Sequence, residues 1–111
     1  MAYIYYVDGE KFTTDDYDEV PKYDVSSPDE NTPAYESLEI GTKVWCKKGW
    51  RLYRLIGPAV VYINGDYNFW LDGKYYGKDI NAWLKNHPNP DIYFDAIGLS
   101  ETERVLWFLQ N

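Results

Sequence analysis

Five glycines stand eight residues apart in the middle of the chain, and this spacing constrains the fold more than any other feature. They are Gly41, Gly49, Gly57, Gly65 and Gly73. Two of them complete the dipeptides Asn64-Gly65 and Asp72-Gly73, which favour type I′ turns because both central residues need a positive φ. Two turn residues and about six strand residues make one repeat. The spacing therefore predicts an antiparallel β-meander over residues 40–77.

Both faces of the predicted meander are apolar, and pairing the strands around the two turns assigns each residue to a face. One face is predicted to hold Val60, Tyr62, Tyr67, Phe69, Leu71 and Tyr76. The other is predicted to hold Ala59, Val61, Ile63, Asn68, Trp70 and Tyr75. We expect helices to cover one face. The other, with Trp50, Trp70 and Tyr75, is expected to stay partly open as a recognition surface.

Aromatic residues make up 19% of this 111-residue chain, which is long enough for one domain with its own hydrophobic core. Most of the rings are expected to pack across strands, where they stabilise sheets. The alternative is that a few Tyr and Trp side chains form an exposed binding patch, because these residues dominate binding hot spots.

Charge is divided unevenly along the chain. Residues 1–40 contain eleven acidic and two basic side chains. The other 71 residues contain seven acidic and nine basic side chains. Five of the nine bases lie in one twelve-residue stretch inside the predicted meander: Lys43, Lys47, Lys48, Arg51 and Arg54. The acidic and basic stretches either pair inside the molecule or form two separate binding surfaces. The charged candidates for binding are Asp15, Asp16, Asp29, Glu30, Arg51 and Arg54.

Residues 1–19 are predicted to form a strand–turn–helix unit. A strand over residues 2–7 reaches the turn Asp8-Gly9, and a short helix is expected over about residues 15–19. Residues 20–39 contain three prolines and two adjacent serines among their acids. This composition predicts a mobile acidic loop that a partner orders on binding.

Helices are predicted over residues 78–111. Apolar residues at helical spacing follow the N-cap Asp79, and a capping box over residues 100–103 starts a final helix. The buried stripe of that helix is predicted to be Val105, Leu106 and Leu109, with Trp107 and Phe108 widening it. Residues 92–97 are compatible with a helical turn or with an extended segment.

The predicted fold class is therefore α+β, in a single domain over residues 1–111. It consists of an antiparallel β-meander with short C-terminal helices and an acidic, loop-rich N-terminal third. An internal similarity supports this architecture, since residues 5–15 align without gaps with residues 69–79. Both stretches have two aromatic residues, an aliphatic residue and Asp-Gly, so one strand–turn–strand–helix unit is predicted to be used twice.

Side chains that carry catalysis or bind metals are scarce. Cys46 and His87 are the single cysteine and the single histidine, and we expect a small buried thiol and a residue that caps a helix. A hydrolase that uses paired carboxylates is a further hypothesis, based on Asp15–Asp16 and Glu101–Glu103. Exposure to solvent explains the first pair more simply, and helix capping explains the second. We therefore expect no enzymatic activity, no metal site and no cofactor.

The sequence has no basic and apolar leader and no apolar run near eighteen residues, so a cytoplasmic protein without a membrane span is expected. Direct binding to nucleic acid is not expected, because the net charge of −7 opposes it.

The segment RLYRLIGPAVVYING at residues 51–65, followed by WLDGK at residues 70–74, resembles a short hairpin repeat of phage, giant-virus and bacterial proteins. That repeat has a core with HR, GPA and a later glycine, followed by a tryptophan and NGK, and it is loosely similar to the membrane-occupation-and-recognition-nexus β-repeat. Here Tyr53 stands where histidine is usual, and one full repeat is present. The resemblance implies a β-hairpin scaffold and a phage-type accessory protein, with no catalytic residues.

These observations favour a non-enzymatic protein-binding accessory protein, phage-encoded, that modulates or inhibits a host protein such as a defence or nucleic-acid enzyme. A second hypothesis is a small-ligand protein that sequesters a nucleotide signal between aromatic rings and the bases Arg51 and Arg54. A third is a minor structural protein of a viral particle. Exposed strand edges of the meander also make a homodimer an alternative to the monomer.

Overall fold

Nine short strands and three C-terminal helices make up the regular structure of residues 2–110, which the computed structural model describes. The strands are β1 (Tyr3–Val7), β2 (Glu10–Thr14), β3 (Tyr35–Ser37), β4 (Lys43–Val44), β5 (Cys46–Lys47), β6 (Arg51–Leu52), β7 (Val60–Val61), β8 (Tyr67–Leu71) and β9 (Lys74–Gly77). The helices are α1 (Ile80–Asn86), α2 (Pro90–Ile97) and α3 (Glu101–Gln110), and a 3₁₀ turn covers Tyr17–Glu19. The predicted α+β class with short C-terminal helices is confirmed.

Seven of the strands form one antiparallel sheet in the order β2-β1-β3-β4-β7-β8-β9, and β5 and β6 form a separate hairpin. The hairpin leaves the sheet after β4, and the chain returns as β7 beside β4. The N-terminal strands extend the sheet on one side through β3. The sheet is therefore wider than the predicted meander, because it includes strands from the N-terminal third.

The two Asp-Gly turns have the predicted type I′ conformation. Asp8 and Gly9 have φ of 51° and 81°, and Asp72 and Gly73 have φ of 47° and 85°. Each turn joins two adjacent strands, and the two resulting hairpins, β1-β2 and β8-β9, lie at opposite edges of the sheet. A 3₁₀ turn follows the first hairpin and α1 follows the second. The internal similarity thus corresponds to one supersecondary unit used at both edges.

The Asn64-Gly65 turn differs from the prediction. Gly65 has a φ of 84° but Asn64 is not among the residues with positive φ, and the amide of Tyr62 donates to the carbonyl of Asp66 at 2.8 Å. The loop therefore has three residues and not two, which pairs Val61 with Tyr67.

The predicted faces are wrong for this hairpin, because a shift of one residue moves every side chain of a strand to the opposite face. Val60 pairs with Asn68 and so shares a face with Trp70. The other face carries Phe69 and Leu71 toward the helices.

A first hydrophobic cluster covers one face of the sheet. Its buried residues are Val25, Ala34, Tyr35, Val44, Cys46 and Val60. Val25 is fully buried, and the next residue, Ser26, donates its amide to the carbonyl of Tyr6 at 3.0 Å. Strand β3 lies between β1 and β4. The predicted loop over residues 20–39 is wrong at residues 35–37, which form a central strand. Val25 and Tyr35 insert into the core, whereas Tyr23 and Leu38 stay exposed. The mobility of the segment stays a prediction.

A second cluster lies between β8 and the helices. Its buried residues are Phe69, Leu71, Trp83, Leu84 and Phe94. Residues 92–97 are helical, as part of α2, which ends at Gly98 with a φ of 76°. His87 is the C-cap of α1, as expected for a helix end, and it is buried. Its Nδ1 accepts from the amide of Asn89 at 2.9 Å, so Nε2 carries the proton and donates to the carbonyl of Leu55 at 2.8 Å.

Helix α3 begins at the predicted capping box. The amide of Ser100 donates to Glu103 Oε1 at 3.1 Å, and the amide of Glu103 donates to Ser100 Oγ at 3.2 Å. The predicted buried stripe is wrong, since Val105, Leu106 and Leu109 are 59%, 46% and 78% exposed. Trp107 packs on the second cluster as predicted, and Arg104, which was not predicted, also faces the rest of the fold.

Candidate functional site

The predicted recognition surface of Trp50, Trp70 and Tyr75 is not one open patch in the structure. The rings of Trp70 and Tyr75 lie 5.0 Å apart between centroids, and the indole of Trp70 donates to Asn68 Oδ1 at 2.6 Å. Trp50 packs on the first cluster and makes an edge contact with Tyr35 at 6.3 Å. Because Trp70 also packs on that cluster, the exposed ring of this surface is Tyr75.

Lys48 and Arg51, two of the five clustered bases, make ion pairs inside the molecule. Lys48 binds Asp8 at 2.5 Å, and Arg51 binds Asp72 at 2.9 Å. Hydrogen bonding to the Asp8 carboxylate raises the pKa of Lys48 above its usual range. The predicted pairing between the acidic and basic stretches is therefore found for Lys48, whereas Arg51 pairs with an aspartate outside the acidic stretch.

Arg54 is held by backbone carbonyls. Its Nε donates to the carbonyl of Glu30 at 3.0 Å and its Nη1 donates to the carbonyl of Pro58 at 3.2 Å. Its guanidinium carbon lies 3.7 Å from the ring centroid of Trp45, and burial lowers the pKa of Arg54. Arg54 thus ties the acidic segment to the sheet, and the predicted pairing of Arg51 and Arg54 around a nucleotide finds no support in this geometry.

The acidic candidates accept hydrogen bonds from backbone amides. Asp15 Oδ1 accepts from the amide of Ala2 at 3.0 Å, and Asp16 caps the 3₁₀ turn by accepting from the amide of Asp18 at 2.9 Å. Asp29 Oδ1 accepts from the amide of Asn31 at 2.9 Å. Glu30 Oε2 accepts from the amide of Leu55 at 2.8 Å. Each of the four carboxylates therefore has a hydrogen-bond partner within the fold.

Cys46 is a buried residue of the first cluster, as expected. Its Sγ lies 3.6 Å from the carbonyl of Val25, and burial raises the pKa of the thiol to about 12. The thiol is therefore protonated and unreactive at neutral pH. No group of three or more His, Cys, Asp or Glu side chains within residues 2–110 is arranged to hold a metal ion.

Two surface features that the sequence did not predict remain. The first is a cleft of about 190 Å³, here called the aromatic cleft. Its lining residues are Tyr17, Asp18, Val20, Lys22, Tyr35 and Trp50. They come from the 3₁₀ turn, the segment after it, strand β3 and the turn between β5 and β6.

The walls of the aromatic cleft are fixed by the fold. Tyr35 is a buried residue of the central strand β3 and stacks on Tyr3 at 6.0 Å. Burial, with the neighbouring Tyr17 and Tyr3, raises the pKa of Tyr35 to about 12, so its hydroxyl is neutral. Trp50 has a φ of 57°, a left-handed conformation that costs a bulky residue about 1–2 kcal/mol. Such strain persists where surrounding contacts impose it, and it is common at binding sites.

The second feature is an apolar surface on α3, here called the α3 face. It consists of Val105, Leu106, Phe108 and Leu109. Their spacing places them on adjacent turns of the helix, and Phe108 is 50% exposed. Exposed apolar side chains grouped on one helix make this surface a candidate interaction site.

Of the nine predicted binding residues, the structure brings Trp50 alone into the aromatic cleft and none into the α3 face. Tyr17, Lys22 and Tyr35 were not predicted because they precede Trp50 by 15 to 33 residues and meet it only when β3 pairs within the sheet. The sequence does indicate the α3 face through its apolar residues at helical spacing, but this spacing predicts burial in the core.

Comparison with protein-family models finds no match, and searches of curated proteins and of solved structures find no significant similarity. In the described part of the chain, no helix is both long enough and apolar enough to cross a bilayer.

Proposed function

We propose that this chain is a non-enzymatic binding protein whose α3 face docks into an apolar groove of a partner protein. The observation that carries the proposal is the exposure of four large apolar side chains on one helix, between 46% and 78% of each residue. An amphipathic helix that lays such a face into a groove is a common mode of protein recognition.

Contacts along one side of helix α3 hold it against the fold, while Val105, Leu106 and Leu109 stay exposed. The ring of Trp107 packs on Phe94 with centroids 5.7 Å apart. Arg104 donates to the carbonyl of Leu99 at 2.9 Å and to the carboxylate of Asp91 at 3.1 Å. One member of the α3 face, Phe108, also packs on Phe94, with ring centroids 5.7 Å apart. Val105, Leu106 and Leu109 take no part in these contacts, so binding a partner would require little further ordering.

The charge around α3 indicates the chemistry of the partner. Glu101 and Glu103 are exposed in the first turn, and no basic residue lies in the last turn. Together with the net charge of −7, this favours a groove with a basic rim. On the resemblance to phage and giant-virus repeats, we propose that the partner is a host protein and that binding modulates or inhibits it.

The test compares wild type with Leu106→Ser/Leu109→Ser, a double variant of the α3 face. Ile63→Ser is the matched control, because Ile63 is 76% exposed on a different part of the surface. Each tagged protein is used for capture from a bacterial lysate at low and high salt. We expect a stoichiometric partner that survives high salt, is retained by Ile63→Ser and is lost with the double variant.

Light scattering on the purified proteins separates a foreign partner from a second copy. A monomeric wild type agrees with the proposal. A wild-type dimer that the double variant converts to a monomer would assign the α3 face to self-association instead. Identical captured proteins for the wild type and both variants would overturn the role of α3.

A further inference from the structure

The aromatic cleft presents ring surfaces from several directions around one small space. Tyr17 meets Tyr35 edge-on at 6.3 Å with an interplanar angle of 82°, and Trp50 meets Tyr35 at 6.3 Å with an angle of 70°. Tyr3 supports both tyrosines from outside the lining, at 5.7 Å from Tyr17 and 6.0 Å from Tyr35. Rings set at steep angles to each other form the walls of a cage.

A cation is already drawn to this cage in the free protein. The ammonium of Lys22 lies 5.1 Å from the centroid of the Trp50 ring, within the distance at which a ring face attracts positive charge. The carboxylate of Asp18 also lines the cleft. Asp16 and Glu19 flank it along the chain, so the local field favours a positive ligand over an anion.

The lysine ammonium is an imperfect occupant. It is a compact and strongly hydrated charge that loses hydrogen bonds to water when it enters an apolar space. A quaternary ammonium group has no N–H donors to leave unsatisfied, and its methyl groups fit ring faces while its charge is still attracted to them. The cleft volume of about 190 Å³ is small, which suits a compact head group.

We propose that the aromatic cleft binds a quaternary ammonium group, held by Tyr17, Tyr35 and Trp50 with Asp18 as the counter-charge, and that Lys22 is a tethered competitor which the ligand displaces. The group would belong either to a small molecule of the choline type or to a trimethylated lysine of a protein. The proposal uses a different surface from the α3 face and does not depend on it.

The test is a titration of ¹⁵N-labelled protein, followed through the indole N–H resonance of Trp50, which Trp50→Phe assigns among the five tryptophans. The probes are choline and 3,3-dimethylbutanol, its uncharged carbon isostere. We expect choline to shift the resonance saturably and the isostere to bind several-fold more weakly. Equal binding of the two probes would overturn the proposal, as would the absence of a saturable shift with choline.

Three variants test the named residues. Tyr17→Leu is expected to weaken choline binding about two- to fivefold, the loss typical of one exposed ring. Lys22→Gln is expected to strengthen it, because the competitor is removed. Tyr75→Leu is the control, since this exposed ring contacts Trp70 and lies outside the cleft lining. Unchanged affinity in Tyr17→Leu, or weaker binding in Lys22→Gln, would contradict the assignment.

Two further probes distinguish the possible ligands of the aromatic cleft. A peptide that carries one trimethyllysine and binds more tightly than choline would identify a protein as the source of the group, whereas equal affinities would identify a small molecule. Adenosine monophosphate is the anionic alternative. If it binds the cleft more tightly than choline, the cationic assignment is wrong and the nucleotide hypothesis gains support.

Discussion

Truncating leucines in α1 and α3 tests which side of the C-terminal helices carries the stability. Leu84 in α1 is 2% exposed and belongs to the second cluster, whereas Leu109 in α3 is 78% exposed. Replacing a buried leucine by alanine removes its transfer free energy and leaves a cavity, which together cost about 2–5 kcal/mol. We expect Leu84→Ala to lower the free energy of unfolding by about 3 kcal/mol.

The same substitution in α3 should cost far less. Leu109 buries roughly a fifth of its surface, and full burial of a leucine side chain contributes about 1.5–3 kcal/mol. A fifth of that range is about 0.3–0.6 kcal/mol, and the slightly better helix propensity of alanine offsets part of it. We therefore expect Leu109→Ala to change the free energy of unfolding by about 0.5 kcal/mol or less.

Urea unfolding followed by tryptophan fluorescence measures both changes. The free energies are compared by linear extrapolation, provided that the dependence on urea is equal in the two variants. If Leu109→Ala destabilised the protein as much as Leu84→Ala, the stripe of α3 would be buried and the α3 face would not exist. A negligible loss in Leu84→Ala would contradict the second cluster.

Two further predictions concern a glycine turn and the alkaline limit of stability. Gly41→Ala is expected to destabilise the protein about 1–3 kcal/mol more than Gly65→Ala. Both glycines have φ above 60°, so the backbone strain is similar in the two variants. Only at Gly41 would the added Cβ collide with a neighbour, since it would lie 2.6 Å from the Cβ of Ile63. Equal unfolding free energies of the two variants would contradict this collision. Stability is also expected to fall as pH rises from about 9 toward 12, because burial raises the pKa of Cys46 from 9.0 to about 12 and the folded chain keeps a proton that the unfolded chain releases. Chemical unfolding across this range should show a shallower fall for Cys46→Ala, and an equally steep fall would refute the assignment.

Local structure followed from the sequence where neighbouring residues decide it. The turns Asp8-Gly9 and Asp72-Gly73, the N-cap Asp79 and the capping box over residues 100–103 all have their predicted form. Each depends on backbone conformation and hydrogen bonds within a few positions of the chain. The α+β class followed in the same way, since the turn spacing predicts strands and the caps predict helices.

The Asn64-Gly65 turn shows where local reasoning fails. The dipeptide suits a two-residue turn, yet the strands pair around a loop of three residues. Both loops are compatible with the dipeptide, and the choice between them depends on which side chains of β7 and β8 meet the two clusters. The face assignments therefore could not be predicted from the turn alone.

The candidate sites depended still more on tertiary structure. Trp50 was predicted from its residue type, but Tyr17, Lys22 and Tyr35 join it only because strand β3 lies in the centre of the sheet. That strand comes from a segment whose prolines and acids predict a loop.

The sequence by itself determined the turns, the caps, the fold class and the likeness of the two edge hairpins, because these arise from interactions between residues close along the chain. Only the tertiary structure decided which apolar groups are buried. Val25 enters the core from an acidic segment, whereas Leu109 stays exposed despite its helical spacing. The physical reason is that burial requires a partner surface, and the position of that surface depends on contacts between residues distant in sequence.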